Sequence, residues 1–208
     1  MSDAQFWTFL VAITLLTMSP GVDTLLVLRN TARGGWRDGL TSSLGICSGL
    51  FVHAVISAVG ISVILLQSAW AFSVLKLAGA VYLIWLGIQG LRSMRKMPVG
   101  QTLKVKHAGF IVSRSLREGL LSNVLNPKAV VFYMAFLPQF IDPTGNMLMQ
   151  SLLLAAIHFV IGMIWLSGLT YLLHRAKGWA LGQRFETLLQ GMTGVVMIGI
   201  GVKLAIDR

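Results

Sequence analysis

Two ionisable side chains stand inside apolar runs, each just beyond a proline. Asp23 closes the segment Met18-Ser19-Pro20-Gly21-Val22-Asp23, and Lys128 follows Leu125-Asn126-Pro127. Charges at membrane depth cost at least about 2.5 to 3.5 kcal/mol on insertion scales, so such residues face a partner or a cavity. Proline has no N–H and clashes with the carbonyl four residues earlier, so it breaks or kinks a helix. Ser19 and Asn126 are helix-capping types, and proline suits the first helical position. Each run is therefore expected to consist of two half-helices, the second starting at Pro20 or Pro127. The N–H groups opened there suit a carboxylate. Ser19, Pro20, Gly21, Asp23, Asn126, Pro127 and Lys128 form the expected binding set. In it Asp23 attracts an ammonium, and Lys128 with the opened N–H groups attracts a carboxylate, so that Asp23 and Lys128 lie close together in space. The same residues also fit a plainer reading, two proline kinks joined by a structural Asp23–Lys128 ion pair.

His53 and His158 lie near the middle of two further apolar runs. Imidazole titrates near neutrality and can relay protons, so His53, His158 and Asp23 are candidate proton-coupling residues. A neutral histidine hydrogen-bonded between helices is the alternative for both. Gly45, Gly49 and His53 fall on one helical face, where the two glycines permit close helix contact. The chain has one cysteine, Cys47, which excludes an intrachain disulfide and a cysteine-based metal cluster. No HExxH, P-loop, dinucleotide fingerprint or GxSxG occurs, so neither an enzyme nor an ATP-driven pump is expected, and no cofactor or metal.

The elements that carry these residues are membrane spans. Of the 208 residues 55% are hydrophobic and 12% charged, half the charge content of a soluble domain. With about 20 apolar residues per crossing, six spans are expected, near 6–28, 40–66, 72–91, 119–141, 147–173 and 188–206. Arg29, Arg33 and Arg37 follow the first span. Seven Lys and Arg residues between Arg92 and Arg117 follow the third, and Arg175, Lys177 and Arg184 follow the fifth. The second and fourth connections have no Lys or Arg. The positive-inside rule then puts the three basic loops in the cytoplasm and both termini outside, with Lys203 and Arg208 dissenting. It also accounts for the net charge of +10 better than nucleic acid does. The N-terminal tail carries no Lys or Arg before Phe6, and a cleaved signal peptide is not expected. Lys76 and Lys203 are expected to snorkel outward, and Trp7, Trp70 and Trp179 to sit near span ends.

The expected fold is an all-α membrane protein with a single transmembrane domain over residues 1–208. Repeat one covers about 1–92, a cytoplasmic linker about 93–113, and repeat two about 114–208. Three spans per half require opposite insertion, hence two inverted three-helix repeats with proline-broken helices 1 and 4. Gly79 and Gly87 in the third span match Gly194 and Gly199 in the sixth.

Taken together these segments resemble the LysE/RhtB family of bacterial amino-acid exporters over essentially the whole chain. The resemblance rests on Ser19-Pro20-Gly21-Val22-Asp23, Arg33-Gly34-Gly35, Gly39, Gly45 and Gly49. It continues through Gly79-Ala80-Val81-Tyr82-Leu83-Ile84-Trp85-Leu86-Gly87, Asn123 to Ala129 with its Asn126-Pro127-Lys128-Ala129, and Phe136-Leu137-Pro138-Gln139-Phe140. Val22 departs from a second proline usual in the family. The resemblance implies efflux of neutral or basic amino acids across the inner membrane, coupled to proton entry. It does not extend to His53 or His158. The implied partners are an amino-acid substrate, protons and the lipid bilayer; a homo-oligomer is compatible with the sequence. A channel or passive facilitator for small polar solutes is the competing class.

Overall fold

The computed structural model describes residues 3–67 and 109–175, with single helical positions between 77 and 92 and between 195 and 206. Residues 93–108 of the expected linker, the basic connection beyond Arg175, most of expected spans 3 and 6, and Lys76, Lys203, Trp70 and Trp179 lie outside the described residues.

The described chain is all helical, with no strand. Its elements are α1 (Asp3–Met18), α2 (Val22–Gln67), α3 (Val112–Val124), α4 (Pro127–Val131) and α5 (Met147–Arg175). Residues Phe132–Phe136 continue α4 as a π-helical turn and Leu137–Phe140 as a 3-10 turn. Pro138 has no N–H for an ordinary α-helical bond, and the helix changes pitch around it. Two helical segments, Val22–Gly60 and Met147–Arg175, are long and apolar enough to cross a membrane. A third candidate is the pair formed by α3 and the segment Pro127–Phe140, bent by 50°. The α5 helix starts at Met147 as expected, because the Asn146 side chain accepts the Met149 N–H at 3.0 Å. Just before it, the Thr144 hydroxyl and N–H donate to Asp142, holding that carboxyl below the usual carboxylate range.

The expected loop after the first span is not a loop. Residues 29–39 are helical on both sides of one break at Gly35, where φ is 76° and ψ is −167°. Only glycine occupies that region without strain, so a single residue turns the corner. The corner is held from α3. Arg33 grips buried Asp38 with Nε at 2.8 Å and Nη2 at 2.9 Å, while its Nη1 reaches both Glu118 oxygens at 3.1 Å. Asn30 and Arg29 each donate to Glu118 at 2.9 Å, and the Ser115 hydroxyl donates to Asp38 at 2.5 Å. This network bonds both arms of the corner to one face of α3. That helix begins at Val112, earlier than the expected Gly119.

Below it α2 and α3 cross backbone to backbone. A side chain on Gly45 would strike the Leu116 carbonyl, and one on Gly119 would strike the Ser42 carbonyl. Gly49 leaves room for the Asn123 amide. The Gly45/Gly49 pair is therefore a packing face, as its spacing suggested. On the opposite side Phe132, Phe136 and Phe140 form a ladder with centroids 5.0 Å apart at each step, and Phe9 of α1 packs on Phe140 at 5.3 Å. Among the late positions, Gly201 lies against the Ala80 carbonyl and Ile84.

Candidate functional site

The two proline breaks face each other. At the second, Asn126 caps α4: its Oδ1 accepts the Lys128 N–H at 3.0 Å, with Pro127 in the first turn, as the sequence indicates. In an unbroken helix the N–H of residue 127 would donate to the Asn123 carbonyl. Pro127 has none to give. The Asn123 carbonyl instead accepts the Asn126 N–H at 2.9 Å and faces His53 Nε2 at 3.0 Å. A carbonyl only accepts, so His53 Nε2 carries the proton there.

At the first break the expected start at Pro20 is corrected by two residues. Ser19 still donates its N–H to the Leu15 carbonyl at 3.0 Å, as the last turn of α1. The Gly21 carbonyl accepts the Leu25 N–H at 3.0 Å, so Gly21 occupies the cap and α2 begins at Val22. Glycine is an acceptable cap and Ser19 is already committed to α1.

Each break binds the charge of the other. Lys128 Nζ donates to the Ser19 carbonyl at 2.9 Å, where the end of α1 concentrates negative potential. Asp23, in the first turn of α2, accepts from Ser122 Oγ at 2.6 Å and from the side-chain amides of Asn123 and Asn126, both at 3.0 Å. Asp23 and Lys128 line one cavity, yet no ion pair joins them. The ion pairs among the described residues involve Arg29, Arg33 and Arg114 with Asp38 and Glu118. The simple Asp23–Lys128 bridge is thus not the arrangement found: each charge is held by neutral partners.

The cavity measures about 60 Å³ and has Ser19, Gly21, Asp23, Asn126 and Lys128 along its polar side. One water needs about 10–15 Å³ on that measure, so an amino-acid head group is of suitable size. Pro20 and Pro127 shape the wall without lining it. His158 lines it and His53 does not. Thr17 donates its hydroxyl to the Ile13 carbonyl at 2.7 Å, so His158 Nε2, 3.0 Å from that oxygen, donates to it. His158 Nδ1 then accepts from the Tyr133 hydroxyl at 3.1 Å. This arrangement fits a neutral imidazole with its proton on Nε2.

Ser122, Thr17 and Tyr133 complete the site and were not singled out by sequence, and Asn123, the first residue of the family-like segment, was given no role there. Their signal is faint: polar residues within a few positions of each break or facing a buried histidine.

The LysE type translocator family model matches residues 14–208. This chain belongs to that family. It is a membrane protein of a transporter family and not an enzyme. It is similar to an uncharacterized membrane protein of Bacillus subtilis, at 35% identity covering 93% of this chain and 94% of the relative. It is similar also to the homoserine/homoserine lactone efflux protein of Salmonella typhimurium, at 32% identity over 100% of this chain and 99% of the relative. A leucine efflux protein of an Enterobacter species is 30% identical over 97% and 95%. No solved structure matches.

Proposed function

We propose that this chain is a secondary transporter that exports amino acids or close derivatives across the bacterial inner membrane, by proton antiport. One observation carries the reading: a carboxylate and an ammonium line the same cavity, each held by neutral partners from the opposite helix break. A zwitterion offers both complements, an ammonium for Asp23 and a carboxylate for Lys128, and half-helix ends at membrane depth are where transporters hold substrates. The named efflux relatives favour amino-acid cargo.

The scaffold of this reading is six spans in two inverted three-helix repeats, with both termini periplasmic. The reciprocal contacts of the two breaks support the pairing of the two halves, and the alternation of basic and uncharged connections supports the placement of the termini. Asp23 and His158 border the cavity and are the better placed proton carriers. His53 is tied to the helix break.

The experiment is flux through the full-length chain in proteoliposomes. An imposed proton gradient drives labelled leucine or threonine uphill if the protein is an antiporter. Movement only down the substrate gradient makes it a passive facilitator instead.

A further inference from the structure

The cavity that Asp23 and Lys128 line also has an apolar wall. Leu16 of α1, Ile46, Cys47 and Leu50 of α2, and Leu166 of α5 line it. On α5, His158, Gly162 and Leu166 recur at four-residue spacing and so share one face. The middle member of that stripe has no side chain. A Cβ placed on Gly162 would meet Cys47 Sγ at 3.0 Å, closer than ordinary packing allows. Gly162 and the Cys47 thiol therefore stand in close contact where both line the hollow, and a single added methyl would crowd it there.

We propose that Gly162 and Cys47 set the size limit for the substrate side chain and admit an uncharged aliphatic group while rejecting a charged one. The inference rests on the reading that this cavity binds an amino acid. Among the lining residues the charged pair, Asp23 and Lys128, is engaged by the head group. Both ring nitrogens of His158 are taken by Thr17 and Tyr133. The other polar lining residues, Thr17, Thr24 and Asn123 among them, are not ionisable, so the cavity holds no counter-charge for a third charge, and burying one unpaired is strongly unfavourable. Cys47 is the chain's single cysteine, and this position gives a small polarisable group a role in fitting an aliphatic side chain.

The test uses the full chain in proteoliposomes and the ratio of leucine to threonine counterflow. One methylene in an apolar pocket changes discrimination about 10- to 200-fold. Gly162→Ala is expected to lower the leucine-to-threonine ratio at least about tenfold. Cys47→Ala is expected to raise it, and the double variant to return it toward the wild-type value, because the removed sulfur makes room for the added methyl. Lysine is expected to compete poorly with leucine. If Gly162→Ala yields no folded protein, Cys47→Ala decides alone. An unchanged ratio in the variants that fold, or lysine competing as well as leucine, overturns the size and charge filter while leaving the transporter reading intact. A wild-type protein that moves no amino acid overturns the reading on which the filter rests.

Discussion

His53 Nε2 and the Asn123 carbonyl, 70 residues apart in sequence, meet at 3.0 Å and complete the acceptor that Pro127 leaves open. The contact ties α2 to the break between α3 and α4, beyond the Gly45–Gly119 crossing. His53→Ala removes a donor from a buried backbone carbonyl. Leaving such a group short of a partner costs about 1–3 kcal/mol. The expected result is a lower thermal midpoint in detergent, and His53→Gln, whose amide still donates, should recover part of it. A midpoint unchanged by His53→Ala would show that the Asn126 N–H alone satisfies this carbonyl.

The corner at Gly35 makes a second prediction. Asp38 is wholly buried and Arg33 is 10% exposed, whereas Glu118 is 27% exposed. Removing one partner of a buried pair costs about 3–5 kcal/mol because the other charge is stranded. Exposed pairs are worth about 0–1 kcal/mol. Asp38→Asn should therefore reduce the yield of folded protein far more than Glu118→Gln, and added salt should affect Glu118→Gln less than it affects the wild type. Equal losses from the two substitutions would contradict the assignment of Asp38 as the anchor.

His158 is held between a donor and an acceptor, the Tyr133 hydroxyl and Thr17 Oγ1. Gln can serve both with its carbonyl and amide, but it cannot take up a proton. His158→Gln should therefore keep measurable substrate binding and flatten the pH dependence of gradient-driven export. A wild-type pH profile in this variant would leave His158 as a packing residue.

How far the sequence reaches can be seen at the two breaks. Asn126-Pro127 marked its helix start correctly, because cap and proline are both local and nothing nearby competes. Ser19-Pro20 marked a break but not its register, because the Ser19 N–H stays in α1 and Gly21 takes the cap. Two of Asp23's three partners were illegible: Ser122 and Asn123 lie 99 and 100 residues away, and nothing in local spacing connects them, whereas Asn126 already stood in the expected binding set. The helical corner was hidden for a similar reason. Gly34-Gly35 reads as a turn, and only the bonds from Arg33 and Asp38 to α3 show why helix persists on both sides.

Asp23 and Lys128 give the sharpest test. Both oxygens of Asp23 accept hydrogen bonds, Oδ2 from two asparagine amides and Oδ1 from the Ser122 hydroxyl. Asn at this position can place its carbonyl toward the amides and its NH₂ toward Ser122, since a hydroxyl can turn from donor to acceptor. Asp23→Asn thus keeps every contact and loses only the charge. It is expected to leave thermal stability near wild type and to abolish leucine counterflow. Lys128→Met removes the donor from the Ser19 carbonyl, so some loss of stability, about 1–3 kcal/mol, accompanies the loss of transport. The double variant separates the two readings. If the charges act on substrate, removing both leaves a folded protein without transport. If they serve only to balance one another across the cavity, the double variant recovers the transport that each single change lost. Full flux in the Asp23→Asn/Lys128→Met protein would therefore sink the zwitterion site, whatever the single variants show.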